Sequence, residues 1–202
     1  MTSSFRRLRT PLLVAVAAVS LSACFGLGGK TPPFLLTLDA AAAPSAGGAR
    51  TSAESATLTI LIPTAPQKLR TTRIPVQQDG SSVTYVKDAQ WVEAPSRLFQ
   101  RLVSETVSAS TTRVVLDEGQ YLTAPGEQLA GQLMEFGVDA GTNEAVVVYQ
   151  AMLVSAGGKT VTQRRFEARE PIGGKVEAKP VGEALTRAAN KVAGEVTGWL
   201  GS

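Results

Sequence analysis

Few side chains in this sequence can do chemistry. The 202 residues contain one cysteine, Cys24, no histidine, and 17 carboxylates. Without histidine there is no His-dependent triad. Without a second cysteine there is no disulfide and no thiolate set for zinc. Carboxylates can still work in pairs as general acid and base, but only at a fixed separation. Glu93, Glu135, Asp139 and Glu144 are the candidates, yet their spacing unites none of them. Asp139 and Glu144 flank a Gly-Thr-Asn turn, where solvated charge belongs. The expectation is no catalytic residue, no metal site and no dissociable cofactor. The Cys24 thiol remains. It follows a head carrying Arg6, Arg7 and Arg9, an apolar run from Leu12 to Leu21, and the small residues Ser22 and Ala23. That arrangement is the mark of an export signal. The run is about a dozen residues, short of the roughly 20 needed to span a bilayer as a helix.

Leu21-Ser22-Ala23-Cys24 resembles the lipobox of bacterial lipoproteins. The resemblance implies that Cys24 takes a diacylglycerol on sulfur, that cleavage falls between Ala23 and Cys24, and that the new N-terminus takes a further acyl chain such as palmitate. Two or more chains hold a protein on a membrane where one does so only marginally. The bland alternative makes Cys24 a small hydrophobe buried in a core helix. The basic head, the apolar length and the cut-site residues all speak against it.

Loss of residues 1–23 removes three arginines and no acid, leaving 17 residues of each sign. The basic sequence pI of about 9.2 therefore belongs to the leader. Nucleic-acid recognition needs a concentrated basic face, which a neutral chain does not promise. Residues 24–33 read as a lipidated tether and 34–202 as one domain, long enough for a real core.

The domain must position whatever surface does the work. Phe34–Leu38 is an apolar run suited to a first strand, followed by an Ala/Gly/Ser-rich stretch, 39–56, read as a flexible loop. Leu58–Pro63 is a buried strand stopped by proline, and Gln67–Arg73 suits one helical turn. Ile74–Gln78 and Ser81–Lys87 flank Asp79-Gly80, a two-residue hairpin signal. Pro95–Ser110 carries Leu98, Leu102 and Thr106 beside Phe99, Val103 and Val107, the stripe of an amphipathic helix. Arg113–Leu116 is a further strand. Gln128–Asp139, Glu144–Ser155 and Lys159–Glu170 form an antiparallel meander with one polar side. Strict alternation would put Leu129, Gly131, Leu133, Glu135 and Gly137 on one face of the first. Pro171–Lys179 is a loop, and Pro180–Leu200 a closing amphipathic helix through Val181, Leu185, Ala188, Val192, Val196 and Trp199. The fold class is α/β bordering on α+β: a single domain, its mixed sheet covered by at least two helices.

The order of pieces resembles the ABC-type transport auxiliary lipoprotein family, including its PqiC-like members. The resemblance is carried by the lipobox, Phe34-Leu35-Leu36-Thr37, Leu58–Pro63, Lys68-Leu69, Arg73-Ile74, Thr84-Tyr85 and Trp91-Val92-Glu93-Ala94-Pro95. It continues through Gln132-Leu133-Met134-Glu135-Phe136, Arg165-Phe166-Glu167-Ala168 and the Ala-rich helix ending near Trp199. It implies an accessory role, not an enzymatic one, beside an ABC permease/ATPase complex and an MCE-type periplasmic protein in envelope lipid transport. It also implies a periplasmic place, with the outer membrane indicated by Phe25 where an inner-membrane lipoprotein carries aspartate. A homo-oligomeric ring is a further implied state. The chain departs from the pattern at Phe34, where the family has a tyrosine pair, and in its long Ala/Gly insertion. The competing function is a structural envelope lipoprotein that binds glycan or another outer-membrane component.

Trp91 and Glu93 are candidate partner contacts, although a tryptophan is more often a packing residue, and the same ambiguity holds for Trp199. Lys159, Arg164, Arg165 and Arg169 form a loose basic cluster that could meet phospholipid headgroups or serve as a wet strand face.

Overall fold

One long strand, Glu127–Asp139, organises the sheet. The computed structural model describes residues 34–53, 56–120 and 126–201, all within the unit Pro32–Ser202. In chain order come β1 (Leu58–Ile60), a 3-10 turn (Gln67–Leu69), β2 (Arg73–Gln77), β3 (Val83–Gln90) and α1 (Pro95–Ser110). They are followed by β4 (Val115–Asp117), β5 (Glu127–Asp139), β6 (Glu144–Val154), β7 (Val161–Pro171) and α2 (Ala178–Leu200). One edge of β5 pairs antiparallel with β6 along nearly its whole length, and β6 pairs antiparallel with β7. The other edge is shared. β1 runs parallel to its Glu127–Leu129 end and β2 parallel to its Val138–Asp139 end. β4 flanks β1 in parallel and β3 flanks β2 antiparallel, giving a mixed sheet of seven strands. With two helices on the sheet, the domain is α+β.

Both helices follow from their apolar stripes. α1 starts with Pro95 at its first position, where the missing N–H costs nothing, and buries Leu98, Phe99, Leu102, Val103 and Val107. α2 begins at Ala178, two residues before the proline expected to start it, because Pro180 still lies in the first turn, whose N–H groups have no intrahelical partner. It buries Val181, Leu185, Ala188, Val192 and Val196. These side chains join Leu129, Leu133, Phe136, Val147, Tyr149 and Phe166 in one hydrophobic core.

The alternation expected along β5 fails at one place. Leu133 pairs with Tyr149 and Glu135 with Val148, so Met134 is an extra residue, a β-bulge. Beyond it the faces exchange: Phe136 and Val138 turn into the core while Glu135 and Gly137 turn out. Gly137 has to be small, since a Cβ there would lie 2.4 Å from the Pro75 carbonyl oxygen of β2.

Three local expectations need correction. Phe34–Leu38 is not a strand: only Leu36 makes a bridge, parallel to Trp91, with its N–H donating to the Gln90 carbonyl at 2.8 Å. The strand expected over Leu58–Pro63 is regular only to Ile60. Past it the chain still tracks β5, through Leu61 N–H to Leu129 O and Thr64 N–H to Gly131 O, and Pro63 brings no donor of its own. The β2–β3 turn is wider than two residues. The Asp79 carboxylate accepts the N–H groups of Ser81 and Ser82 at 2.8 Å each, an Asx turn closed by Gln78 N–H to Ser82 O. The 39–53 stretch forms neither strand nor helix. It is pinned to α2, where Asn190 accepts from Ala41 N–H and donates to the Asp39 carbonyl.

Candidate functional site

The helices cover one face of the β5–β6–β7 meander; the other face carries its charge. On that uncovered side β7 alternates Arg165, Glu167 and Arg169, and pairing sets Val148 beside Glu167 and Val146 beside Arg169. Val146 and Val148 are 7% and 2% exposed yet stand apart from the helix-side core.

At one end this face opens into a cleft of about 720 Å³ lined by Lys68, Gln77, Asp79, Glu135, Asp139 and Arg169, among others. Arg169 dominates it. Its guanidinium reaches Asp139 at 3.1 Å, Glu144 at 3.3 Å and Glu167 at 3.1 Å. One cation thus ties the β5–β6 turn to β7. The Arg169 hydrogen bond, helped by the N–H groups of Gly141 and Thr142, holds the Asp139 carboxyl below the usual aspartate range. The same carboxylates, Asp139 first, push Arg169 upward. The turn is fixed from behind by Asn143, which takes a left-handed conformation (φ 55°) and donates to the Ile172 and Gly174 carbonyls. Opposite, Lys68 from the 3-10 turn binds Glu135 at 2.5 Å.

The four carboxylates weighed as acid/base candidates are therefore each engaged by a cation: Glu135 by Lys68, Asp139 and Glu144 by Arg169, Glu93 by Arg101 of α1. Among the described residues, Tyr149 is the one phenol deep in the core. Burial drives its pKa up, and its hydroxyl donates to the Ala130 carbonyl at 2.8 Å, a structural use.

The sequence-level site residues fare unevenly. Cys24 and the Ala23-Cys24 junction lie outside the described residues. Trp91 is 1% exposed and packs edge-on against Phe136, ring centroids 5.6 Å apart, so its ring presents no surface to a partner and belongs to the core. Glu93, two residues on, keeps a partly exposed side chain paired to Arg101. Trp199 is likewise a packing residue, tilted against Phe166 at 5.7 Å. The loose basic cluster divides between faces. Arg164 lies over the Phe166 ring, while Arg165 and Arg169 sit on the opposite side with Glu167. Sequence reading missed the Arg169 network and the Lys68–Glu135 pair. The available signal was period-two alternation of sign along Arg165, Glu167 and Arg169, which marks one strand face but does not reveal which turn it meets.

Comparison with known proteins supplies the rest. The model of a family described as an ABC-type transport auxiliary lipoprotein component matches residues 35–197. No curated protein matches by sequence. Among solved structures, a Xanthomonas campestris protein of the DUF330 family superposes with TM-score 0.67 at 20% identity, covering 83% of this chain and 93% of its own. An uncharacterized protein gives TM-score 0.62 at 11% identity over 75% of this chain and 96% of its own. More distant is a PelC dodecamer from Paraburkholderia phytofirmans, TM-score 0.42 and 14% identity, over 76% and 93%. For the first two, at these identities, the likeness is one of fold.

Proposed function

This chain belongs to the ABC-type transport auxiliary lipoprotein family, and from that premise we propose that it is a lipid-anchored periplasmic accessory subunit of an ABC/MCE-type envelope lipid transport system, working by docking rather than by catalysis. The observation that carries the reading is the match across 35–197, essentially the whole folded domain, behind a leader ending Leu21-Ser22-Ala23-Cys24. Acylated Cys24 holds the domain to the periplasmic face of the outer membrane, the side favoured by Phe25. The domain then serves as a rigid adaptor. One sheet face is spent on the core. The other face, with the outer edge of β7, is left for the MCE-type protein or for a second copy in a ring.

Two measurements test this. Cross-linked envelopes solubilised in detergent and captured through this chain should yield an ABC permease or ATPase together with an MCE-type protein. Recovery of neither, from complexes shown to survive solubilisation, sinks the reading. Cys24→Ser should abolish acylation and shift the chain from the membrane to the soluble or uncleaved fraction. An unchanged membrane fraction would show that the thiol is not the anchor.

A further inference from the structure

Five large hydrophobic side chains are exposed among the described residues: Phe34 at 48%, Leu35 at 51%, Val92 at 47%, Val83 at 39% and Val161 at 55%. Singly such residues mean little, but contiguous ones mark a contact surface. Phe34 and Leu35 are neighbours in the chain, and one bridge brings Val92 alongside that segment. Leu36 bridges to Trp91, its N–H donating to the Gln90 carbonyl and its own carbonyl accepting from Val92 N–H at 2.9 Å. Leu36 and Trp91 point inward: Trp91 is in the core, and a Leu36 methyl lies 3.0 Å from where a Gly182 Cβ would be. Alternation along extended chain then turns Leu35 and Val92 outward together, and Phe34, next to Leu35 at the entrance to the domain, lies at the lip of the groove that Leu36 and α2 line. Val83 and Val161 lie elsewhere, at the starts of β3 and β7.

We infer that Phe34, Leu35 and Val92 form a foot that inserts into the bilayer surface carrying the lipid anchor. The inference rests on Cys24 being that anchor. Its occupant is argued from chain length: nine residues lie between Cys24 and Phe34, ten chain steps, so whatever path they take the rim stays within about 36 Å of the acylated cysteine. An apolar rim held that close to a membrane gains by entering the headgroup–acyl boundary, as interfacial apolar faces do. The adjoining groove is lined by two charges of each sign, Asp39 and Glu183 with Lys179 and Arg187. Contact is therefore through apolar burial and does not require anionic lipid. Two points of attachment, the acyl chains and the foot, orient the domain where a tether alone would let it swing.

The test uses the full lipid-anchored chain in phosphatidylethanolamine/phosphatidylglycerol vesicles containing doxyl-labelled phospholipid. Because Cys24 is the sole cysteine and its sulfur is acylated, Leu35→Cys, Val92→Cys and the control Val161→Cys each offer one free thiol for an environment-sensitive fluorophore. Vesicle flotation of the same samples reports the anchor independently. Expected are flotation of all three, with blue-shifted, doxyl-quenched emission at 35 and 92 and water-like emission at 161. Flotation with water-like emission at 35 and 92 overturns the foot and leaves the anchor standing. A blue shift without doxyl quenching means a protein covers the rim and likewise overturns it. Absence of flotation fails the anchor reading, and the foot falls with it.

Discussion

The two faces of the β5–β6–β7 meander are built from the same three strands and do opposite things. Toward the helices stand Leu133, Phe136, Tyr149 and Phe166, each at most 3% exposed. Away from them stand Glu135, Glu167, Arg165 and Arg169, each with a charged partner. The first face makes the domain fold; the second is the one that the proposed docking role would use. Burial of a large side chain contributes about 1.5–3 kcal/mol, whereas an exposed ion pair contributes about 0–1 kcal/mol. Stability and the proposed docking should thus be separable by substitutions on the two faces.

The largest effect belongs to Trp91, the biggest fully buried side chain and one edge of the Trp91–Phe136 pair. Trp91→Ala should destabilise by about 3–5 kcal/mol, read as a lower urea midpoint at unchanged slope. Trp91→Phe should cost far less. Its indole N–H is buried with no partner among the described residues, so phenylalanine keeps much of the apolar bulk and removes an unpaired donor. Equal losses in the two variants would show that the indole is held by something other than packing.

How much of this contrast could be read in advance depends on which interactions are local. The helices at Pro95–Ser110 and Ala178–Leu200 and the antiparallel meander were legible because their apolar periods lie within single segments. The division of β5 between β1 and β2 was not, since Leu129 and Val138 are both apolar and neither records its neighbour. Nor was the bulge at Met134, where one added residue exchanges the faces and sends Glu135 outward instead of leaving it on the Leu133 side. Trp91 and Glu93 looked like one candidate patch in the sequence. The Leu36 bridge separates them by turning Trp91 inward. Around the cleft the residue types were visible, but Arg169 and Asp139 are 30 positions apart and meet only through strand register.

On the charged face the expected effect is smaller and depends on pH. Arg169→Met removes the cation shared by Asp139, Glu144 and Glu167, and should cost about 1 kcal/mol near neutral pH. Asp139 has a depressed pKa in the fold. Its contribution is therefore complete above the unfolded aspartate value of about 3.9 and disappears as pH falls through the lower folded value. The gap between wild type and Arg169→Met in urea titrations should accordingly narrow on acidification from neutral pH to below that range. A gap that stays constant would mean that Arg169 acts through packing of its stem over Val146, not through charge.

The smallest effect on stability, and for that reason the cleanest probe of docking, is expected at Glu93. Its side chain is 31% exposed, and that of its partner Arg101 is 54% exposed. A pair so wet is worth well under about 1 kcal/mol, so Glu93→Gln should leave the urea midpoint nearly unchanged. Any loss of the captured transporter partner in that variant then reports on an interface and not on folding. Trp91→Ala cannot make that distinction, because it weakens the fold and the surface together. Retained capture in Glu93→Gln, with wild-type stability, would remove Glu93 from the docking surface and leave the Arg165–Glu167–Arg169 face of the meander as the place to look.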